Sequence, residues 1–258
     1  MAIHPTAIIH PTAQLAEGVT VGPYSVIGPR VTVEQDTEIQ AHVVIDKDTA
    51  IGQRCRLFPF ASVGADPQDM KYAGEQTNLI IGHDVTIRES ATIHRGTAGG
   101  GGVTRIGDNC LIMATVHVAH DCQLAREVIL SSFAVLAGHV RVDEQAIVSG
   151  STAVHQFVRI GCHSFVGGMS GVVKDVPPFM ILAGVRDKAV VVSPNTVGIR
   201  RRGFSEETLE AITGAFKLLH SHRPILEVLS EAEEQWPDSK EVALITEFYR
   251  NSSRGVYR

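Results

Sequence analysis

The chain has 258 residues, of which 44% are hydrophobic but only 5% aromatic, and its net charge is −5. This charge gives no general support for nucleic-acid binding, and no apolar run approaches the roughly 20 residues of a membrane span. The N-terminus lacks the basic and apolar segments of a secretory signal, so we expect a cytoplasmic protein.

An aliphatic residue recurs at every sixth position from the N-terminus onward. Neither an ordinary helix nor an ordinary sheet repeats at six, whereas a fixed short period marks a solenoid. One hexad cannot bury its own apolar side chain, but stacked coils form a continuous core. The aliphatic positions are Ile3, Ile9, Leu15, Val21, Ile27, Val33, Ile39, Ile45, Ile51, Leu57, Val63, Ile81, Ile87 and Ile93, and, after a slip of one residue, Ile106, Ile112, Val118, Leu124, Leu130, Leu136, Val142, Val148, Val154, Ile160, Val166 and Val172.

A small residue follows four positions after almost every aliphatic one, and glycine often follows directly. Cys55, Cys110 and Cys122 occupy the small-residue position, so we interpret them as core side chains in a reducing compartment. The pattern predicts a short strand, a bend and another short strand, since six extended residues span roughly 20 Å at most. A sandwich of alternating strands would have period two. Periodicity alone leaves the number of faces per coil and the hand of the coil open.

Two excursions interrupt the solenoid, which we place at residues 1–176. The first, at about residues 65–79, is polar and turn-rich, and it fits either a binding loop or a merely solvated one. The second, at 97–105, contains four consecutive glycines. No Gly-Lys-Ser/Thr and no helix follow them, so we reject a phosphate loop and predict a flexible surface loop.

The repeat ends near Pro177, and residues 177–204 are predicted to be an irregular or extended connecting segment. From Ser205 onward the apolar residues keep helical spacing, with Ser205 as a plausible N-cap. We therefore predict a small α-helical domain over residues 205–258.

Arg200, Arg201 and Arg202 stand just before the first predicted helix. Adjacent arginines can bind phosphates through bidentate hydrogen bonds. A solvated basic turn is the simpler interpretation from composition alone.

Histidines cluster late in the solenoid, at His117, His120, His139, His155 and His163. If a coil contains three hexads, residues 18 apart stack about 4.8 Å from each other, so His120 and His139 share one edge of the wall. Asp121 follows His120 and could orient its imidazole for proton transfer. Taken singly, each histidine is more simply a surface residue. Zinc held by His117 and His120 with His94 or His139 lacks a supporting carboxylate pattern, so we expect neither a metal nor a cofactor.

Seven stretches carry a more specific pattern. They are residues 4–7 (HPTA), 68–75 (QDMKYAGE), 87–97 (IRESATIHRGT), 117–122 (HVAHDC), 136–140 (LAGHV), 153–157 (AVHQF) and 201–205 (RRGFS). Together they resemble the family of acyl-carrier-protein-dependent UDP-N-acetylglucosamine O-acyltransferases of lipid A biosynthesis, over essentially the whole chain. The hexads alone indicate only the wider hexapeptide-repeat superfamily.

The resemblance implies a mainly β fold, a left-handed parallel β-helix with three hexads per coil followed by an α-helical domain. That hand is an exception among parallel crossovers. The resemblance also implies a homotrimer with sites between neighbouring subunits. The reaction would transfer a (3R)-3-hydroxyacyl chain from acyl carrier protein to the 3-hydroxyl of UDP-N-acetylglucosamine, as the first step of lipid A biosynthesis.

The residue roles implied by the resemblance follow the matching motifs. His120 would be the general base, Asp121 would hold its tautomer, and the backbone N–H of Gly138 would stabilise the oxyanion. Gly168 matches the position that limits acyl-chain length. The substrate-binding residues would be Asp69, Lys71, His117, His139, His155, Gln156, Asn195, Arg201 and Arg202.

Two departures from the family pattern concern the acceptor. Val197 stands where related sequences usually carry an acidic residue, and the segment around Gly184, Arg186, Asp187 and Lys188 looks about two residues longer. These differences leave open an acceptor with a 3-amino group. The sequence is also compatible with a coenzyme A-dependent transferase of the superfamily, a γ-class carbonic anhydrase or a non-enzymatic scaffold.

Overall fold

The computed structural model describes residues 2–185, 188–221 and 223–258. Its strands pair in parallel with strands one coil away, as when Ala2 pairs with Thr20. This offset of 18 residues means that one coil contains three hexads, one on each of three sheets, which we call faces A, B and C. The coil is a left-handed β-helix, which confirms the predicted fold class.

The strands of each face stack in the order of the coils. Face A comprises β1 (Ala2–Ile3), β4 (Thr20–Val21), β7 (Glu38–Ile39), β10 (Arg56–Leu57), β13 (Thr86–Ile87), β16 (Leu111–Ile112), β19 (Ile129–Leu130), β22 (Ile147–Val148), β25 (Phe165–Val166), β27 (Met180–Ala183) and β28 (Val190–Pro194). Face B comprises β2 (Ile8–Ile9), β5 (Val26–Ile27), β8 (Val44–Ile45), β11 (Ser62–Ala65), β14 (Thr92–His94), β17 (His117–Val118), β20 (Val135–Leu136), β23 (Ala153–Val154) and β26 (Gly171–Val172). Face C comprises β3 (Gln14–Leu15), β6 (Thr32–Val33), β9 (Thr49–Ile51), β12 (Asn78–Ile81), β15 (Val103–Ile106), β18 (Gln123–Leu124), β21 (Arg141–Val142) and β24 (Arg159–Ile160).

The core is a set of aliphatic columns inside the prism. In a two-residue strand one side chain points in and the next points out, and the inward one is the aliphatic residue of the hexad. Ile112, Leu130 and Val148 are accordingly buried completely. Cys110 lies in the small-residue position, where burial raises the pKa of its thiol to about 12, so it acts as a small apolar side chain.

The coil turns sharply at three corners, which we name AB, BC and CA after the faces that they join. Each corner passes through a residue with positive φ, a conformation uncommon outside glycine. At corner BC these residues are Asp121 (φ 62°), His139 (φ 64°) and Phe157 (φ 65°). Corner geometry therefore holds side chains of successive coils in one column, directly above one another.

Both excursions leave the coil at corner BC. The first occupies residues 66–77, between β11 and β12. The second is shorter than the predicted 97–105, because Val103–Ile106 form β15 and pair in register with β12. Both excursions therefore lie over the column that carries the predicted catalytic residues.

The C-terminal part closes one end of the prism. Residues 177–204 are more regular than the irregular or extended segment we predicted, since β27 and β28 form an antiparallel pair and α1 spans Thr196–Arg201. The predicted helical domain contains α2 (Glu206–Leu219), α3 (Ile225–Gln235) and α4 (Lys240–Arg250). Ser205 caps α2, with its hydroxyl accepting the N–H of Thr208 at 3.1 Å. Within the described ranges, no helix is long and apolar enough to cross a bilayer.

His163 joins the solenoid to the C-terminal part through its ring. The ring stacks on Phe179, with centroids 5.2 Å apart, and meets the edge of Phe204 at 5.0 Å. Burial between these groups lowers the pKa of His163, an effect that the nearby Glu144 opposes and Arg202 reinforces. The folded protein therefore favours the neutral imidazole.

We expect stability to fall as the pH is lowered below the ordinary histidine pKa of 6.5, because the unfolded chain binds a proton at His163 before the folded chain does. His163→Gln should flatten part of this dependence in melting temperatures recorded between about pH 5 and pH 7. The matched control is His10→Gln, which alters an exposed histidine. Equal slopes in the wild type and His163→Gln would contradict the expectation.

Candidate active site

Corner BC brings His120 and Asp121 against Gly138 and His139 of the next coil. The Nδ1 atom of His120 lies 2.8 Å from Oδ2 of Asp121. The two imidazole rings meet edge to face, with centroids 5.1 Å apart, and Nδ1 of His139 is 3.7 Å from the same carboxylate. The Asp121 side chain is completely buried and that of His120 is only 13% exposed. The predicted pair thus exists as a largely desolvated unit.

The carboxylate of Asp121 is fixed by donors from the second excursion. Oδ1 accepts the backbone N–H of Thr97 at 2.8 Å, and Oδ2 accepts the Thr97 hydroxyl at 2.6 Å. A carboxylate only accepts hydrogen bonds, so Nδ1 of His120 carries the proton that faces it. In the neutral ring this leaves Nε2 with a lone pair for a substrate proton.

The glycine segment, which we predicted to be a flexible surface loop, is partly exposed and also covers this carboxylate. Residues 98–100 form a short 3-10 turn capped by Thr97. A Cβ on Gly100 would lie 2.0 Å from Cγ of Asp121, so only glycine fits there. Thr97 and Gly100 were missed as site residues, because sequence spacing does not reveal that this loop folds back onto corner BC.

Gly138 lies directly under the ring of His120. A Cβ at this position would come within 2.5 Å of Cε1 of His120, so the imidazole rests on the bare backbone of the next coil. Among the described residues, no acceptor engages the N–H of Gly138. A free amide N–H therefore stands beside the imidazole, as an oxyanion site requires.

The first excursion is anchored by Arg95, which is completely buried. Its guanidinium donates to the carbonyl oxygen of Gly64, to Asp66 and, at 3.2 Å, to the hydroxyl of Tyr72. His94 adds a contact of 2.6 Å from Nδ1 to the carbonyl oxygen of Asp66. Arg95 belongs to one of the matching stretches, but its role was not predicted, since a buried arginine cannot be told from an exposed one by spacing.

Anchoring this excursion places Asp69 and Lys71 over the site. Asp69 accepts the backbone N–H of Lys71 at 3.0 Å, and the Lys71 side chain is exposed. Burial lowers the pKa of His139, while the charges of Asp121 and Asp69 act in the opposite direction. The charge of Asp69 therefore acts on corner BC at His139, and Lys71 follows Asp69 on the same excursion.

Three further predicted residues lie on or beside the same corner. Burial also lowers the pKa of His117, whose Nδ1 is 2.8 Å from the hydroxyl of Thr92 on face B. His155 and Gln156 are exposed one coil beyond His139, and Nδ1 of His155 is 3.2 Å from the guanidinium of Arg254. His117, His139 and His155 thus lie on or beside corner BC, and Nδ1 of His117 and of His155 contacts a neighbouring polar side chain.

The predicted nucleotide residues lie elsewhere in the chain. The side chain of Asn195 caps α1, accepting the N–H of Gly198 at 3.1 Å, and donates to the carbonyl oxygen of His163 at corner CA. Arg202 pairs with Glu127 of corner CA at 2.5 Å, and Arg201 is exposed. Corner CA is separated from corner BC by the width of face C, up to roughly 20 Å. One chain does not bring these residues to His120.

The remaining predicted positions also lie away from corner BC. Gly168 is exposed at corner AB, and a Cβ there would meet nothing closer than the carbonyl oxygen of Gly150, at 3.4 Å. Val197 is exposed on α1. Arg186 and Asp187, which belong to the longer segment, lie outside the described residues.

His120, Asp121 and His139 offer ligand atoms within 4.8 Å of one another, a spacing that a metal ion could bridge. Both oxygens of Asp121 already accept protein donors, which favours a hydrogen-bonded pair over a coordinated carboxylate. His94 and His117, the other predicted zinc ligands, are bonded to Asp66 and Thr92 instead.

Two family models match the chain. The model described as UDP N-acetylglucosamine O-acyltransferase, domain 2, matches residues 175–257, and the bacterial transferase hexapeptide model matches residues 104–138. A curated relative is the acyl-[acyl-carrier-protein]–UDP-N-acetylglucosamine O-acyltransferase of Thermodesulfovibrio yellowstonii, which is 44% identical over 99% of both chains.

Solved structures of UDP-N-acetylglucosamine acyltransferases share the fold of this chain. UDP-N-acetylglucosamine O-acyltransferase from Moraxella catarrhalis matches with a TM-score of 0.96 and 40% identity over 100% of both chains. The acyltransferase from Francisella novicida matches with a TM-score of 0.96 and 37% identity over 99% of this chain and 94% of that one. The matches include the solenoid, both excursions and the helical domain.

We expect Arg95→Lys to loosen the first excursion, because lysine keeps the charge but cannot form the planar fork that reaches three acceptors. Tryptic cleavage after Lys71 should become roughly tenfold faster or more, as the loop opens more often. Arg88→Lys is the matched control, since Arg88 pairs at the surface with the adjacent Glu89. An unchanged cleavage rate would show that Arg95 does not hold the loop.

Proposed function

Since this chain belongs to the UDP-N-acetylglucosamine O-acyltransferase family, we propose that His120 is the general base of its transfer reaction. The chain is an acyltransferase of lipid A biosynthesis that uses acyl carrier protein as donor and UDP-N-acetylglucosamine as acceptor. The observation that carries the proposal is the buried His120–Asp121 pair, whose free Nε2 stands beside the unengaged N–H of Gly138.

In the proposed step, Nε2 of His120 removes the proton of the 3-hydroxyl. The oxygen of this hydroxyl attacks the carbonyl carbon of the acyl thioester at the same time. The carbonyl oxygen acquires a negative charge and accepts a hydrogen bond from the N–H of Gly138. Collapse of this intermediate breaks the carbon–sulfur bond, and the thiolate of the carrier leaves with the proton held by His120. Asp121 stabilises the transient imidazolium, so one imidazole serves as base and then as acid.

Substrate contacts are proposed from the placement of polar groups. Asp69 and Lys71 reach the sugar from the first excursion, and His117, His139, His155 and Gln156 line the groove along corner BC. The acyl chain follows face B toward Gly168, where the lack of a side chain leaves room for a long chain. We propose (3R)-3-hydroxyacyl groups as the donor and the cytoplasm as the compartment of the reaction.

We propose that the enzyme is a homotrimer whose sites lie between neighbouring subunits. Asn195, Arg201 and Arg202 would bind the nucleotide at corner CA of one subunit, opposite His120 of the next. An exposed apolar surface supports such an assembly, since monomers rarely leave contiguous apolar area in water. This surface covers face B and corner AB and contains Ile8, Tyr24, Val44, Phe60, Phe133, Val135 and Met169.

We expect His120→Ala to lower kcat by about 10²–10⁴-fold, because the hydroxyl then loses its base. Mass spectrometry should identify the wild-type product as an alkali-labile 3-hydroxyacyl ester, whereas an alkali-stable amide would indicate the 3-amino acceptor. His10→Ala changes an exposed histidine on the first coil, far along the stack from His120, and is the matched control. Wild-type turnover by His120→Ala would disprove the assigned base.

We expect subunit mixing to restore activity between two defective variants. His120→Ala and Arg202→Ala each damage every site of a homotrimer, but mixed trimers contain sites that combine an intact His120 with an intact Arg202 of a neighbour. Refolding an equal mixture should recover about a quarter of wild-type activity, if the two residues meet only across a subunit boundary. No recovery in a mixture that forms trimers by ultracentrifugation would place the site within one chain.

A further inference from the structure

A large open cavity adjoins the proposed active site on the outer side of face C. Its volume is about 940 Å³, and it extends from Asp121, His139 and Phe157 at corner BC toward corner CA. The glycine segment of the second excursion forms one wall, and the C-terminal residues Asn251 and Ser253 contribute to the lining. The proposed reaction uses only the corner BC end of this cavity.

The floor of the cavity carries a column of arginines. Arg105, Gln123, Arg141 and Arg159 are paired rung by rung in the parallel sheet, and each precedes an inward aliphatic residue. Their side chains therefore leave the same face, about 4.8 Å apart from one rung to the next. Three guanidinium groups converge on one cavity in a chain whose net charge is −5.

Two of these arginines lack the partners that other arginines have. Other exposed arginines of the solenoid are paired with a carboxylate, for example Arg54 with Asp84 at 2.7 Å and Arg126 with Glu144 at 2.5 Å. Among the described residues, neither Arg105 nor Arg141 forms an ion pair.

The charge of Arg159 is partly compensated by its neighbours. Its guanidinium lies 4.6 Å from the centroid of the Phe248 ring and 3.9 Å from the carboxylate of Asp143. Arg141 stands on the adjacent rung of the same face, and like charges directly opposite each other destabilise a sheet. Repulsion between the stacked arginines thus lowers the free energy of unfolding, and a bound anion would offset this loss. Of the two carboxylates that line the cavity, Asp121 is engaged by Thr97, and Asp143, 3.9 Å from Arg159, is one carboxylate beside three guanidinium groups.

We propose that Arg105 and Arg141 form a binding site for a phosphate ester of one of the two substrates. A guanidinium presents paired N–H donors that match phosphate oxygens, and two of them on alternate rungs can hold one group from both sides. The inference rests on the proposed function for the identity of the substrates.

Each of the two substrates of the proposed reaction carries a phosphate ester to corner BC. Carrier proteins hold their acyl chain on a phosphopantetheine thioester, whose arm must leave the Gly138–His120 pair toward solvent. The acceptor carries a diphosphate between its sugar and its nucleoside. Either group can lie over face C when its reacting end is at His120, and the shared chemistry is the phosphate ester.

The test measures binding of each ligand alone, so that no acyl transfer takes place. Phosphopantetheine, pantetheine and UDP are titrated calorimetrically into the wild type, the double variant Arg105→Gln/Arg141→Gln, and Arg56→Gln. Arg56 is an exposed arginine on face A that also has no carboxylate partner among the described residues, so it controls for the loss of charge. Melting temperatures verify that each variant is folded.

We expect the double variant to lose about tenfold or more in affinity for one phosphate-bearing ligand, since hydrogen bonds to charged groups are the strong ones. Loss of the preference for phosphopantetheine over pantetheine assigns the site to the donor, and weaker binding of UDP assigns it to the acceptor. Unchanged binding of both ligands overturns the proposal.

A further titration separates this proposal from the assigned mechanism. The variant His120→Ala should bind the same phosphate ligand as tightly as the wild type does. If His120→Ala kept its turnover while the arginine effect persisted, the base assignment would fail and the phosphate site would stand.

Discussion

The parallel register of the coils determines which side chains meet, and the rest of the molecule depends on it. Each residue stands one rung, about 4.8 Å, above the residue one coil earlier. His120 therefore lies over Gly138, and Asp121 stands in one column with His139 and Phe157. A change of one residue in register would replace Gly138 by a residue with a side chain and leave no room for the imidazole. Regular stacking thus brings together the side chains to which we assign the proposed chemistry.

The solenoid could be predicted from the sequence because its period is short and its core chemistry is uniform. The aliphatic columns, the small corner residues and the Ser205 cap all result from local constraints that are visible in the chain. The functions of Thr97, Gly100 and Arg95 were not visible, because they depend on two excursions folding back over corner BC.

The arginine column of face C was hidden for another reason. Its members occupy outward positions of the hexad, where the core places no constraint on residue type and no periodic signal arises. Arg105 and Arg141 are two coils apart, and only the observed pairing through Gln123 shows that they leave the same face beside the glycine segment.

The separation of Asn195 and Arg202 from His120 shows how a rigid prism can build a substrate groove. Side chains at two corners of one triangle cannot approach each other, because the hydrogen-bonded faces between them do not bend. In the homotrimer that we propose, a ligand as long as a nucleotide sugar would lie where the corner of one prism meets another prism. The proposed chemistry therefore depends on the association of chains, while an open cavity lies over face C beside His139.

The two ends of the prism differ, and this difference gives the molecule a direction of unravelling. The strands β1, β2 and β3 end the three sheets, and Ile3 remains 41% exposed because no coil lies beneath it. The opposite end is closed by β28 and by the chain terminus, where Tyr257 is buried against Asp175. Because each coil is stabilised mainly by its neighbours, fraying starts at the uncovered end and advances coil by coil. His120 and Asp121 lie several coils from that end, so we expect their geometry to survive the loss of the first turns.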